Sequence, residues 1–198
     1  RIAPSEPRVE RTRDIIARQV THMARLIDDL LDVSRISRGK LALQKERCDL
    51  GRIAHDTAED YRPGIEGSGQ HLLVRIHPKP LWVEGDPVRL AQMLGNLLNN
   101  ASRFNVPDGR VEVEAEPDLR EGMALIRVRD NGVGMPQELI GRLFDPFAQA
   151  AQDLARSRGG LGLGLALTKG LVELHGGHVT AHSEGPGLGA TFTLHVPL

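Results

Sequence analysis

Between Pro7 and Lys45 the chain has no internal proline, and its apolar positions Ile16, Val20, Met23, Ile27 and Leu30 step by four, three, four and three. That spacing is the seam of a coiled coil or helical bundle, and it predicts one long helix. A second row, Leu26, Leu31, Val33 and Ile36, widens the stripe beyond what a two-stranded seam needs. Several helices must therefore cover it, as in a four-helix bundle made by a dimer. Packing of this helix on its own domain is the alternative that the pattern leaves open.

After Cys48 the period changes. Asp49 to about Tyr61 reads as a helix, HLLVRI (71–76) and LWVEGD (81–86) as short strands, and Asp86 to Phe104 as a capped amphipathic helix. VEVEAE from Val111 and ALIRVRD from Ala124 predict two more strands, followed by a short helix with Pro136 in its first turn. The segment 145–164 shows no clear period and predicts a mobile loop, within which 148–159 is expected to be ordered only with nucleotide. Leu165 to His175 is helical, and HVTAHSE with ATFTLHV forms a closing hairpin around 185–189. Neighbouring strands read as antiparallel. The fold class is therefore α+β, a two-layer α/β sandwich preceded by a long bundle-forming helix. The division is residues 1–46 for the helix and 47–198 for the sandwich.

A chain of 198 residues holds one core and a helical annex. Hydrophobic residues at 40% and charged residues at 26% fit a folded globular domain. With 25 Lys and Arg against 26 Asp and Glu, no basic field gathers phosphate backbones, which argues against nucleic acid as a partner. A single cysteine, Cys48, suits a reducing compartment, and the cytoplasm is expected. No stretch approaches the ~20 apolar residues of a membrane span, so no membrane contact is expected of this segment.

Four segments carry residue types that packing does not require. In NLLNNASRF (96–104), Asn96, Asn100 and Arg103 fall at i, i+4 and i+7 and put two amides and a cation on one helical face. Amide oxygens can complete the shell of Mg²⁺, and Arg103 can neutralise phosphate oxygens; a solvated polar face is the plainer reading. DNGVGM (130–135) follows a strand. There an aspartate can accept from an exocyclic amine, and Gly132 and Gly134 let backbone pass close to a planar ring, although D-N-G alone is more often a turn. GGLGLGL (159–165) precedes a helix, where free N–H groups and the helix dipole suit phosphate. GPGLGATFTL (185–194) supplies a tight hairpin.

In this order and spacing, NLLNNASRF, DNGVGM, LFDPF (143–147) and GGLGLGL resemble the N, G1, F and G2 boxes of sensor histidine kinases. RLIDDLLDVSRISRGK (25–40) is similar to the second helix of that family's dimerisation domain. The resemblance implies a Bergerat-type ATP site. Asp130 would bind the adenine amino group, with Gly132 and Gly134 beside the ring. Asn96 and Asn100 would hold Mg²⁺ and the phosphates, helped by Arg103. Phe144 and Phe147 would anchor the lid, and Gly160, Leu161, Gly162, Leu163 and Gly164 would wrap the phosphates. Phe104, where the family often has tyrosine, and Thr191 complete the implied nucleotide contacts. In the related gyrase and mismatch-repair ATPases a glutamate stands four residues before the metal-binding asparagine. Here that position is Asn96, and an amide cannot act as general base, which favours kinase over ATPase.

The family's acceptor histidine lies in a motif like H-E-L-R-x-P, and none of the eight histidines has that context. His22 sits on the predicted bundle helix, and His55, next to Asp56, only faintly resembles another acceptor style. The expectation is that the acceptor helix lies upstream and that this segment cannot phosphorylate itself. The implied function is transfer of the γ-phosphoryl of Mg·ATP to histidine, for relay to a response-regulator receiver domain, in a homodimer joined by the helical bundle. A degenerate nucleotide-binding regulatory module and a gyrase-type ATPase are the alternatives.

Overall fold

The computed structural model describes residues 7–148 and 161–198. The long helix α1 (Pro7–Ser37) is followed by β1 (Glu46–Asp49), α2 (Leu50–Gly67), β2 (His71–Ile76), β3 (Trp82–Gly85) and α3 (Pro87–Arg103). Then come β4 (Arg110–Asp118), β5 (Met123–Asp130), the single turn α4 (Gln137–Ile140), α5 (Gly164–Leu174), β6 (His178–His182) and β7 (Ala190–Pro197). Five strands form one sheet in the order β2-β4-β5-β7-β6, and β1 pairs with β3 in a separate two-stranded ribbon. The helices α2, α3 and α5 cover one face of the large sheet, the two-layer arrangement expected.

Alternation along the strands decides which face is covered. Val111, Val113 and Ala115 of β4, Ala124, Ile126 and Val128 of β5, and Phe192, Leu194 and Val196 of β7 point at the helices and are buried. Leu94, Leu97 and Leu98 of α3 and Leu167 and Leu171 of α5 fill the space opposite them with no exposed surface.

Four expectations need correction. α1 ends at Ser37 and not near Lys45; Gly39, with φ of 63°, turns the chain out of the helix, and its N–H bonds the carbonyl of Ile36. The strand β1 that follows was hidden because ERCD has neither alternation nor flanking turn residues, and it exists only by pairing with β3. α2 runs beyond Tyr61 to Gly67 with Pro63 inside it. A residue before proline resists helix, but the Arg62 side chain bonds Glu59, Glu66 and the carbonyl of Leu72, and Ile65 is buried. Finally, β2 and β4 are parallel, because α3 carries the chain back between them, while the other pairs are antiparallel. Pro136 stands at the N-cap of α4, just ahead of the predicted first turn.

The two faces of α1 differ. Asp29, Asp32, Val33 and Ile36 are buried or half-buried, and Val33 and Ile36 pack against the core of the sandwich. Ile16, Val20, Met23, Ile27 and Leu30 stay between 45% and 60% exposed. The helix thus docks on its own domain by one stripe and leaves the predicted seam uncovered. No helix among the described residues is long and apolar enough to cross a membrane.

Candidate nucleotide site

Asp130 is the last member of the helix-facing row of β5, so the alternation that buries Val128 buries this carboxylate too, at 7% exposure. Its Oδ1 accepts from the Gly132 N–H at 2.9 Å. Burial pushes its pKa up, and the backbone N–H groups of Gly132 and Ala190 pull it part of the way back.

The loop after Asp130 is fixed by close backbone approaches. A Cβ on Gly132 would lie 2.2 Å from the carbonyl oxygen of Phe104, and Val133 N–H donates to that same carbonyl at 3.0 Å. The loop therefore rests on the C-cap of α3. Gly134 has φ of 62°, and a Cβ there would meet the carbonyl oxygen of Gly185 at 2.1 Å. Ser183, a residue the sequence reading passed over, ties the two loops together. Its Oγ accepts from Met135 N–H at 3.0 Å and donates to the carbonyl of Gly189 at 2.7 Å. The available signal was a serine two residues ahead of a glycine-rich turn.

α3 begins at Asp86, whose carboxylate accepts from the N–H groups of Val88 and Arg89. Its C-terminal half carries Asn96, Asn100 and Arg103. Asn96 is 4% exposed, and its Nδ2 donates to the carbonyl of Gly164, the first residue of α5, at 3.2 Å. Thr168 Oγ1 donates to the same oxygen at 2.8 Å. Asn100, one turn on, is half-buried. The Arg103 guanidinium lies over the Phe104 ring, 5.2 Å from its centroid.

Gly162, with φ of 70°, packs on the backbone of Phe147 and Ala148, and its carbonyl accepts from Phe147 N–H at 3.1 Å. Phe147 is itself at positive φ and 61% exposed. Phe144 is half-buried against the core, so of the two predicted anchors only this one is inserted. Leu163 is buried and Leu161 exposed. Gly160, and the lid expected across 148–159 apart from Ala148, lie outside the described residues.

One predicted residue is not brought to the site. Thr191 pairs with Arg129, one step from the Asp130–Ala190 pair, and so points to the opposite face of the sheet from Asp130. Among the histidines, His55 is exposed on α2 with Nδ1 3.3 Å from Asp56, away from these loops. His175 caps α5; its Nε2 accepts from Asp86 N–H at 3.0 Å, which fixes the start of α3.

The arrangement joins three groups: a buried carboxylate whose loop rests on the C-cap of α3, two asparagines and an arginine on the C-terminal half of α3, and the N-terminus of α5, bonded to Asn96. The family described as histidine kinase-, DNA gyrase B-, and HSP90-like ATPase matches residues 85–198, the span that holds all of it. The chain belongs to this family. Its relatives within the family include histidine kinases. It is 40% identical over 197 residues to the circadian input-output histidine kinase CikA of Synechococcus elongatus, covering 96% of this chain and 26% of that protein. It is 35% identical over 178 residues to the sensor histidine kinase RcsC of Escherichia coli K12, covering 89% of this chain and 18% of that protein. The chain thus spans about a quarter or less of these relatives' length. Among solved structures, full-length ShkA in complex with AMPPNP superposes with a TM-score of 0.77 at 29% identity, over 89% of this chain and 36% of that one. The Acinetobacter baumannii histidine kinase AdeS shares the fold, with a TM-score of 0.75 over 99% of this chain and 87% of that one at 19% identity.

Proposed function

We propose that this chain is the ATP-binding catalytic core of a sensor histidine kinase, which transfers the γ-phosphoryl of Mg·ATP to a histidine for relay to a receiver-domain aspartate. The observation that carries the reading is Asp130: an acceptor buried at the start of a loop that its glycines let pack tightly on the C-cap of α3 and the β6–β7 turn, where a hydrogen bond from an adenine amine would be strong because water is excluded. Asn96, Asn100 and Arg103 then face the phosphates, and the N-terminus of α5 with Leu161, Gly162, Leu163 and Gly164 receives them. Phe104 and Phe144 bound the site.

The donor set fits Mg²⁺ carried by the nucleotide. Among the described residues no group of three His, Cys, Asp or Glu side chains could hold a metal ion. Amide oxygens of Asn96 and Asn100 would add neutral ligands to a cation already held by phosphates and water. When bound, that ion would neutralise charge on the transferring group. Asn96 cannot take a proton from water, which leaves the phosphoryl group for a better nucleophile than water. The likeness to ShkA, solved in complex with AMPPNP, supports an adenine nucleotide as the ligand.

Residues 1–46 belong in this reading to a dimeric helical bundle, and 47–198 to the catalytic domain, acting in the cytoplasm with a receiver domain as partner. The uncovered seam of α1 supports the bundle. The test is calorimetric binding of Mg·ATP to the wild type and to Asp130→Ala. Binding lost in the variant is expected; a folded wild type that does not bind overturns the reading in favour of a degenerate module.

A further inference from the structure

The end of α3 is held to the sheet by two buried side-chain amides. Gln70, just ahead of β2, donates from Nε2 to the Ser102 carbonyl at 2.8 Å. Asn105, just past the C-cap Phe104, donates from Nδ2 to the carbonyl of Arg110 at 3.1 Å, and its Oδ1 accepts from Val106 N–H at 3.0 Å. Gly109 makes room for this carboxamide, since a Cβ there would overlap Asn105 Oδ1. Arg110 opens β4, where it pairs with His71 of β2. The Asn105 amide therefore spans directly from the helix layer to the sheet layer.

The loop after Asp130 rests on both ends of that span. Asn131 N–H donates to the Arg110 carbonyl at 3.3 Å, so this oxygen accepts from both asparagines, one on each lone pair. In return Asn131 Oδ1 accepts from Arg110 N–H at 2.6 Å. On the helix side, a Cβ on Gly132 would come 2.8 Å from Asn105 Cα, and Val133 N–H bonds the Phe104 carbonyl. Asp130 Oδ1 takes its direction from Gly132 N–H. The aim of the carboxylate is thus set by the spacing between Phe104 and Arg110, and Asn105 is the side chain that bridges it. Losing its donor would leave a buried carbonyl short of a partner and the spacing free to vary.

We propose that Asn105 and Asn131, meeting at the backbone of Arg110, are positioning residues that aim Asp130 at the adenine amine. They act on Asp130 through Arg110 and Gly132. Asn96, Asn100 and Arg103 lie within α3, held by the helix's own bonds and by Gln70 on Ser102, so the phosphate end of the site does not depend on Asn105. The adenine consequence rests on the function proposed above; the placement of the loop does not.

Calorimetry with Mg·ATP and with Mg·inosine triphosphate separates the two ends of the site, because inosine carries a carbonyl in place of the amine. The parent should prefer ATP. Asn105→Asp keeps an acceptor for Val106 N–H and removes the donor to Arg110. It should lower ATP affinity about fivefold, the equivalent of one hydrogen bond, and leave inosine triphosphate unchanged. Asn131→Ala, at an exposed residue whose loss leaves the core intact, should also shrink the preference for ATP. A preference unchanged in both variants, with the two nucleotides weakened equally or not at all, overturns the positioning role. Hydrogen exchange on the empty protein reads the loop without nucleotide. The Gly132 and Val133 amides should exchange faster in both variants, while Val128 in β5 stays as in the parent. Unchanged exchange at Gly132 and Val133, or equal acceleration at all three, overturns the proposal, because the second result is what general loosening of the fold would give. A folded parent that binds neither nucleotide, or both alike, sinks the adenine reading of Asp130 instead, and the exchange result then decides the loop placement by itself.

Discussion

The side-chain amide of Asn96 donates to the carbonyl oxygen of Gly164, tying the middle of α3 to the first turn of α5. One residue therefore belongs both to the expected metal-binding face and to the brace that holds the glycine-rich segment against it. Asn96→Ala should weaken ATP binding even in EDTA, because the brace is lost along with the ligand; Asn100→Ala should weaken it only when Mg²⁺ is present. Calorimetry with and without Mg²⁺ checks this. Removing the hydrogen bond should also lower stability by about 1 kcal/mol.

Asp130 should be costly to the empty fold. Its pKa is raised by burial, so at neutral pH the folded state holds an ionised group that the unfolded state solvates better. The stability associated with the protonated form is fully present below the unfolded carboxylate pKa and is lost as pH rises through the raised folded value. Asp130→Asn should therefore abolish ATP binding while leaving the urea midpoint at pH 7.5 equal to or above that of the wild type. A clear drop in midpoint would show that the Gly132 and Ala190 hydrogen bonds outweigh desolvation.

Two histidines give the opposite pH trend. Burial depresses the pKa of His175, whose neutral Nε2 accepts from Asp86 N–H, and of His195, which also stacks on His178 with ring centroids 4.0 Å apart. The neutral forms are favoured in the fold, so stability is full above the unfolded histidine pKa of about 6.5 and falls as pH drops below it. Urea midpoints at pH 7.5, 6.5 and 5.5 should decline in that order. His175→Gln should flatten the decline; an unchanged slope would assign it to other groups.

Gly134→Ala should damage the site more than the sequence change suggests. The residue sits at φ of 62°, and the added methyl would overlap the carbonyl oxygen of Gly185. Loss of about 1–3 kcal/mol is expected from strain at such a position, together with weaker ATP binding, because the loop from Gly132 to Met135 must move off the β6–β7 turn. Gly64→Ala, in open space on α2, is the control and should be neutral or stabilising.

Ser183→Ala leaves Met135 N–H and the Gly189 carbonyl without their shared partner. A cost of about 1–3 kcal/mol follows from buried polar groups left unpaired. Faster amide exchange at Met135 than in the wild type would locate the effect in that loop.

What the sequence determined by itself is whatever depends on neighbours a few residues away. The four-three spacing from Ile16 to Leu30 marked α1, Asp86 before Pro87 marked the start of α3, and the period-two rows marked β4, β5 and β7. The order of the four glycine- and asparagine-bearing segments pointed to the candidate nucleotide site, because each segment's chemistry is local even though their meeting is not. Tertiary structure decided the rest. β1 exists because β3 lies beside it, β2 runs parallel to β4 because α3 intervenes, and Thr191 misses the site because one step along a strand reverses its face. The two opposite stripes of α1 show the same division most clearly. Hydrophobic spacing exposes the seam, whereas the docking of Asp32 on Arg89 joins residues 57 apart in sequence, a pairing set by the packing of α1 on α3 that no local period encodes.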